Sequence, residues 1–330
     1  MRRREFIAML GGAAAWPLVS RAQQPGAKVH RIGYLGPGSL SSPASLQLIA
    51  AFQQGLAEHG WIDGRNVDIA YRLAEGRFER LPDLAAELVQ LKVDVIVAGP
   101  TTAALAAKNA TATIPIVMVN VGDPVRLGLV ESLAHPGGNV TGLAYSVGLE
   151  LMGKGLELLK EVVPKARRVA ILSNPANPAH PVAVQDVISA AQALGIELLT
   201  LETRSADEFD SAFAAMAQAR AEALLVVPEA VFTLNQAHLL DLVAKHRLPS
   251  VYGDRRNAEA GGLMSYAPSF PEQWWQAAAF VDQILKGAKA GELPIRQPTH
   301  FELVINLRTA KALGIEIPAS LLARADELIE

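Results

Sequence analysis

Along most of this chain, short apolar runs alternate with stretches whose apolar residues recur every three or four positions. Residues 31–35 read as a strand ending in Gly36-Pro37-Gly38-Ser39, and Leu46, Ile49, Phe52 and Leu56 follow at helical spacing. Residues 66–71 alternate as a strand, and 81–91 read as a helix. Residues 93–97 form a strand ending in Gly99-Pro100-Thr101-Thr102, with a helix behind it over 103–109. The strand at 114–119 ends in Asn120-Val121-Gly122-Asp123-Pro124. The pattern then restarts. Leu149, Met152, Leu156, Leu159 and Val163 make a helical stripe. The strand at 169–172 ends in Ser173-Asn174-Pro175-Ala176-Asn177, and further strands are expected at 196–201, 224–227 and 249–252. Short strands alternating with helices predict βαβ units, here an α/β fold of two doubly wound, Rossmann-like lobes. An apolar-Pro pair opens a strand in each array, Ile114-Pro115 and Leu248-Pro249, where the missing donor costs little.

The N-terminus changes where this fold would work. Arg3-Arg4 precedes an apolar segment of 13 residues, 7–19, and Ser20-Arg21-Ala22 offers a small-x-small cleavage site. That is the build of a signal peptide over 1–22, and the arginine pair suits twin-arginine export. The segment is short for a membrane span, which needs about 20 residues. A mature chain starting near Gln23 is expected in the periplasm, where ATP and reduced nicotinamide are not at hand. Such a protein is better suited to holding a small molecule than to consuming a nucleotide.

Composition narrows the partners. Without residues 1–22 the chain has 26 basic against 32 acidic residues, a formal charge of −6. An acidic surface argues against nucleic acid. About 308 residues, half of them apolar in the full chain, suit two cores. There is no cysteine, which excludes disulfides, thiolate metal sites, cysteine nucleophiles and a lipid-anchored N-terminus. The mature protein is expected to be a freely diffusing monomer.

Enzymatic signals are weak. Residues 33–38 run G-x-x-G-x-G rather than the dinucleotide pattern, and neither a P-loop nor a G-x-S-x-G elbow occurs. The seven histidines are scattered and read as surface or structural residues. No metal, cofactor or catalytic residue is therefore expected.

In a parallel sheet, ligands sit beyond the carboxyl ends of the strands. Five strand-end loops carry groups that could contact one: Ser39 with Ser41 and Ser42, Thr101 with Thr102, Asp123, Asn174 with Asn177, and Glu229. Each of these groups also suits helix capping. Thr101-Thr102 starts a helix after a buried strand and suits a carboxylate, and Asp123 suits an ammonium. Arg255 and Arg256 offer another carboxylate site. Tyr34, Tyr145, Phe232, Tyr252 and Tyr266 stand at strand ends or lobe junctions, where a flat ligand could stack. Trp274 reads as core.

Residues 135–142, His-Pro-Gly-Gly-Asn-Val-Thr-Gly, follow Asp123-Pro124, and Ile305-Asn306-Leu307-Arg308-Thr309-Ala310-Lys311 stands near the end, before Gly314-Ile315-Glu316-Ile317-Pro318. Together they resemble the ABC-transporter substrate-binding proteins related to tryptophan and tyrosine uptake. The resemblance implies a type I periplasmic binding fold whose two lobes are crossed three times by the chain. Lobe 1 is then expected over 29–143 and 270–298, and lobe 2 over 146–266 and 301–330. It implies a small carboxylate ligand, an aromatic or branched amino acid, captured between the lobes and delivered to a membrane permease. The positions matching the family's ligand loops are Ser39, Thr101, Thr102, Asp123, Asn174 and Glu229, with Tyr145 and Phe232 as aromatic neighbours. An aromatic carboxylate without an amino group would also fit. Two alternatives remain: an exported α/β hydrolase or racemase, and a sensor that presents its closed form to a receptor kinase. LacI-type repressors share the fold, but no N-terminal helix-turn-helix is present.

Overall fold

The computed structural model describes residues 29–145 and 150–330. The expected signal peptide, its cleavage site and the far side of the first expected hinge lie outside the described residues.

The first array contains β1 (His30–Gly36), α1 (Pro43–Glu58), β2 (Val67–Leu73), α2 (Leu81–Gln90), β3 (Val95–Ala98), α3 (Thr101–Ala110), β4 (Ile116–Val121) and β5 (Val140–Ala144). Its five strands form one parallel sheet in the order β2-β1-β3-β4-β5. The second begins with α4 (Glu150–Val162), β6 (Arg168–Ser173), α5 (Ala179–Ala193), β7 (Glu197–Glu202) and α6 (Phe209–Gln218). It continues with β8 (Ala223–Val226), α7 (Ala230–Leu234), α8 (Gln236–Lys245), β9 (Ser250–Tyr252), α9 (Arg255–Glu259) and β10 (Met264–Ala267). The long helix α10 (Phe270–Leu285) follows, then β11 (Glu302–Asn306), α11 (Leu307–Leu313), α12 (Ala319–Leu322) and β12 (Glu327–Ile329). The second sheet runs β12-β11-β10-β9-β8-β6-β7, and within it only the β10–β11 pair is antiparallel.

Each sheet is covered on both faces, which explains why its strands read as continuous apolar runs rather than alternating ones. In β3, Val95 and Val97 face a core with Phe52, Leu56 and Val281, while Ile96 and Ala98 face one with Leu84, Leu88 and Ala103. In β6, Val169 and Ile171 join Leu156 and Leu159, while Ala170 and Leu172 join Phe213 and Leu239. Burying one such large apolar side chain contributes about 1.5–3 kcal/mol.

The chain changes lobes more than once. β10 belongs to the second sheet, yet α10 packs on α1 and against β3, β4 and β5 of the first. The apolar stripe of Trp274, Ala277, Ala278 and Val281 makes that contact, and Ser269 Oγ caps the helix by accepting from the Glu272 N–H. The next segment stays with the first lobe, because the Ile295 and Ala144 N–H groups bond to Leu133 and Arg296 carbonyls. By β11 the chain is back in the second sheet.

The two motifs that carried the family resemblance are structural. Asn139 Nδ2 donates to the Thr111 and Ile114 carbonyls, and Lys108 Nζ donates to its Oδ1. Gly142, at φ 127°, lets β5 approach β4 so closely that a Cβ there would meet the Met118 carbonyl oxygen at 2.1 Å. Asn306 caps α11 through the Thr309 N–H and donates to the Ala258 carbonyl.

Candidate ligand-binding cleft

The strand order puts β1 and β6 at the positions where connections diverge to opposite sides of each sheet. Loops beyond such strand ends leave a crevice. Here the two crevices face each other across one cleft, with about 180 Å³ accessible to water. The first lobe lines it with the loops after β1, β3 and β4, and the second with those after β6 and β8.

The first-lobe wall is partly aromatic. Tyr34 stacks on Trp274 with centroids 4.7 Å apart, and both line the cleft. Trp274 is thus core and wall at once, since it is also buried against Phe52. Beside them Thr101 is buried at the start of α3, and its Oγ1 accepts from the Gly122 N–H at 3.1 Å. That leaves the hydroxyl proton free to donate, next to helix amides that have no partner within the helix. Asp123 Oδ1 accepts from the Val125 and Arg126 N–H groups, so it holds the turn while lining the cleft. Asn120 also lines the cleft, with its backbone at φ 56° where the β4–β5 register shifts.

The second-lobe wall is a closed hydrogen-bond network. His180 Nδ1 accepts from the Asn174 N–H at 2.9 Å, which puts the ring proton on Nε2. Nε2 lies 3.1 Å from Glu229 Oε2 and 3.2 Å from the Pro228 carbonyl. Asn177 Nδ2 donates to Glu229 Oε2 at 2.7 Å, and the Ala230 N–H donates to Oε1 at 2.9 Å. Burial raises the Glu229 carboxyl, but the hydrogen bond and charge attraction of His180, with the bonds from Asn177 and Ala230, outweigh it and hold the group below its ordinary value. Glu229 is therefore an ionised carboxylate at only 5% exposure.

Aromatic groups close the back. Tyr145 donates to the Gly253 carbonyl at 3.1 Å and meets Phe270 edge-on, with Arg256 over the Phe270 ring. Burial pushes the Tyr34 and Tyr145 phenols well above their ordinary value, so both stay un-ionised.

The lobes touch across the cleft mouth. Arg126 Nη1 reaches Asp186 Oδ1 of α5 at 3.0 Å. Gly122 lies against Ala179 so closely that a Cβ there would come within 2.9 Å of the Ala179 Cβ. Phe78 packs on the cores of both lobes.

Of the residues expected at a ligand, Thr101, Asp123, Tyr145 and Glu229 line this cleft. Four others are placed off its wall. Ser39 is tied to Ser41 within its turn, where the hydroxyls lie 2.8 Å apart. Thr102 lies one residue further into α3, and its buried Oγ1 has no hydrogen-bond partner. Asn174 spends its Oδ1 on the Ala176 N–H. Phe232, expected as an aromatic neighbour of the ligand, is buried in the lobe core beside Phe209. Arg255 is held by Glu259, Glu302 and Glu327, and Arg256 by Asp254. Sequence reasoning passed over His180 as structural and did not single out Asn120. An isolated histidine or asparagine beyond a strand gives no periodic signal, and only the folded loops aim them inward. Among the described residues no group of three or more His, Asp or Glu could hold a metal ion, and no helix is long and apolar enough to cross a membrane.

The profile of the ABC transporter substrate binding proteins matches residues 38–329, from the first cleft loop to the last strand. The chain belongs to that family. A tyrosine-binding protein of Clostridioides difficile is 27% identical over 265 residues, covering 80% of this chain and 76% of the relative. An ABC domain from Streptococcus pneumoniae in complex with L-Trp is 27% identical, with a TM-score of 0.84, over 91% of this chain and 99% of that one. The ligand-free, open structure of a Clostridium difficile substrate binding protein with adhesive properties covers 91% and 99%, at 25% identity and a TM-score of 0.66. This substrate-binding protein thus superposes better on the ligand-bound relative than on the open one, in keeping with its touching lobes. The type I periplasmic binding fold expected from the sequence is the fold observed.

Proposed function

We propose that this protein is the exported capture component of an ABC importer, working in the periplasm as a monomer. It takes up an aromatic or branched amino acid between its lobes and presents the closed form to a membrane permease. The observation that carries this reading is the cleft itself, walled by strand-end loops of both lobes, with acceptors, donors and a stacked aromatic pair converging on one space. The relatives named for tyrosine binding and solved with L-Trp favour an aromatic side chain. In this reading Thr101 and the first amides of α3, including that of Thr102, hold the carboxylate. Asp123 and Glu229 face the ammonium, and Tyr145 closes the back. Ser39, Asn174 and Phe232 shape the loops from behind. Binding rather than catalysis is the chemistry. Closure follows only from the ligand's greater affinity for the closed state.

A thermal-shift screen of amino acids and aromatic carboxylates tests the reading. A ligand at a hundred times its Kd adds about 2.7 kcal/mol to stability. L-tryptophan or L-tyrosine is expected to raise Tm by several degrees in saturable fashion. A chain that shifts with no amino acid but with a sugar would sink it.

A further inference from the structure

The charged groups around the cleft do not balance, and the imbalance has one sign. Four charged side chains line it: Asp123, Asp186, Glu229 and Arg256. Asp186 is paired with Arg126, and Arg256 with Asp254. His180 accepts at Nδ1 and turns its Nε2 to Glu229 Oε2, 3.1 Å away. Asp123 and Glu229 remain, and among the described residues neither has a lysine or arginine partner. Their hydrogen bonds come from backbone amides, an asparagine and the His180 imidazole. Among the described residues no unpaired lysine or arginine faces the cleft to offset them.

Asn120 adds to this independently. It stands where β4 breaks register with β5, in the left-handed conformation that asparagine tolerates better than most residues. Its Oδ1 is buried and has no partner. A buried acceptor without a donor is costly and calls for one from outside the chain. The end of β4 and the loop after it therefore place an orphaned side-chain carbonyl and a carboxylate on the same cleft.

We infer that a protonated amine is the obligatory feature of the ligand and that its carboxylate is auxiliary. This rests on the amino-acid reading above and sharpens it. A cationic nitrogen would neutralise the excess of the two walls and supply the donor that Asn120 lacks. A ligand with a carboxylate alone would bring a third negative charge into a closing, poorly solvated space, where only hydroxyl and amide dipoles at α3 oppose it. A simple amine loses those dipolar contacts and keeps the charge match.

The test is calorimetry on the mature chain with three forms of each skeleton. One set is L-tryptophan, tryptamine and indole-3-propionate; the other is L-tyrosine, tyramine and 3-(4-hydroxyphenyl)propionate. Within a skeleton that binds, the amine is expected to stay within about tenfold of the amino acid, and the acid to bind about a hundredfold weaker or worse. Asp123→Asn keeps an oxygen for the Val125 and Arg126 amides, and its fold is checked by thermal melt. It is expected to weaken amino acid and amine alike and to narrow the gap to the acid. Asn120→Ala is expected to act in the same direction. Acid binding as tight as the amino acid, or loss of the amine with retention of the acid, overturns the inference and leaves the importer reading standing. Equal weakening of all three forms by Asp123→Asn also overturns it, since that is the behaviour of a turn residue. Silence from every form of both skeletons overturns the aromatic amino-acid reading, and the inference falls with it.

Discussion

The two walls of the cleft are built on opposite principles. The second-lobe wall has met its own needs: Glu229 takes hydrogen bonds from His180, Asn177 and Ala230, and His180 is itself held by the Asn174 amide. The first-lobe wall leaves needs unmet, in the free face of Asp123, the orphaned Asn120 carbonyl oxygen and the first amides of α3. A satisfied buried network fixes geometry, because moving any member strands another in a low dielectric. An unsatisfied wall stores affinity for whatever completes it. One wall thus behaves as a template and the other as the ligand's main partner, and substitutions on the two should fail differently.

The largest effect is expected from Glu229→Ala, which breaks the template. It strands two buried side-chain donors and an N–H, so the loss of stability should be about 3–5 kcal/mol, read as a lower denaturant midpoint with unchanged slope. The same residue gives a pH signature. Its folded pKa lies below the unfolded value near 4.5, so its contribution is fully present above that pH and is lost as pH falls through the folded value. Glu229→Gln should therefore flatten the acid limb of the stability curve below about pH 4.5. An acid limb identical to that of the parent chain would show that the network does not depend on the ionised form.

Gly122→Leu comes next and acts on neither wall but on their meeting. A side chain there cannot coexist with Ala179 at its present distance, so the closed form should be disfavoured while each lobe stays intact. Ligand affinity is expected to fall by more than about tenfold, an effect of at least ~1.4 kcal/mol, with a larger radius of gyration in ligand. Asp123→Ala tests the unmet wall. It should weaken an amino-acid ligand by about tenfold to a hundredfold, the value of one charge-assisted bond, and leave a deaminated analogue nearly unaffected. Lower stability with unchanged affinities would show that its turn bonds to Val125 and Arg126 are its whole role. Arg126→Ala is the smallest. The Arg126 side chain is nearly half open to water although Asp186 is buried, so its loss should cost about 1 kcal/mol in the closed state and less at high salt.

Much of the architecture was legible along the chain. The apolar runs at 93–97 and 169–172 are sheet centres because both faces are buried, and residues of that kind read the same in any parallel sheet. The far edge of the second sheet was not legible. β12 is three residues long, and β11 enters antiparallel to β10, so neither carries the strand-helix rhythm that marked the rest. The candidate site was half legible. Thr101, Asp123 and Glu229 stood out because they stand directly beyond buried strands, where a parallel sheet opens its crevice, although the same groups suit helix capping. The direction of Phe232 was not legible, because an aromatic at the start of a short helix can point either to the cleft or to the core; here it packs on Phe209.

The amino-acid sequence by itself determined the layers, the strand-end loops and the polar residues those loops carry, since periodicity and capping chemistry act over a few neighbours. Only the tertiary structure decided which of those residues face the ligand. That choice is made by contacts between distant segments: Thr101 with Gly122, His180 with Glu229, Gly122 with Ala179, and Trp274 returning from the far side of the second sheet to stack on Tyr34. A loop side chain has no period to reveal its direction. It points where its remote partners, or the absence of one, leave it.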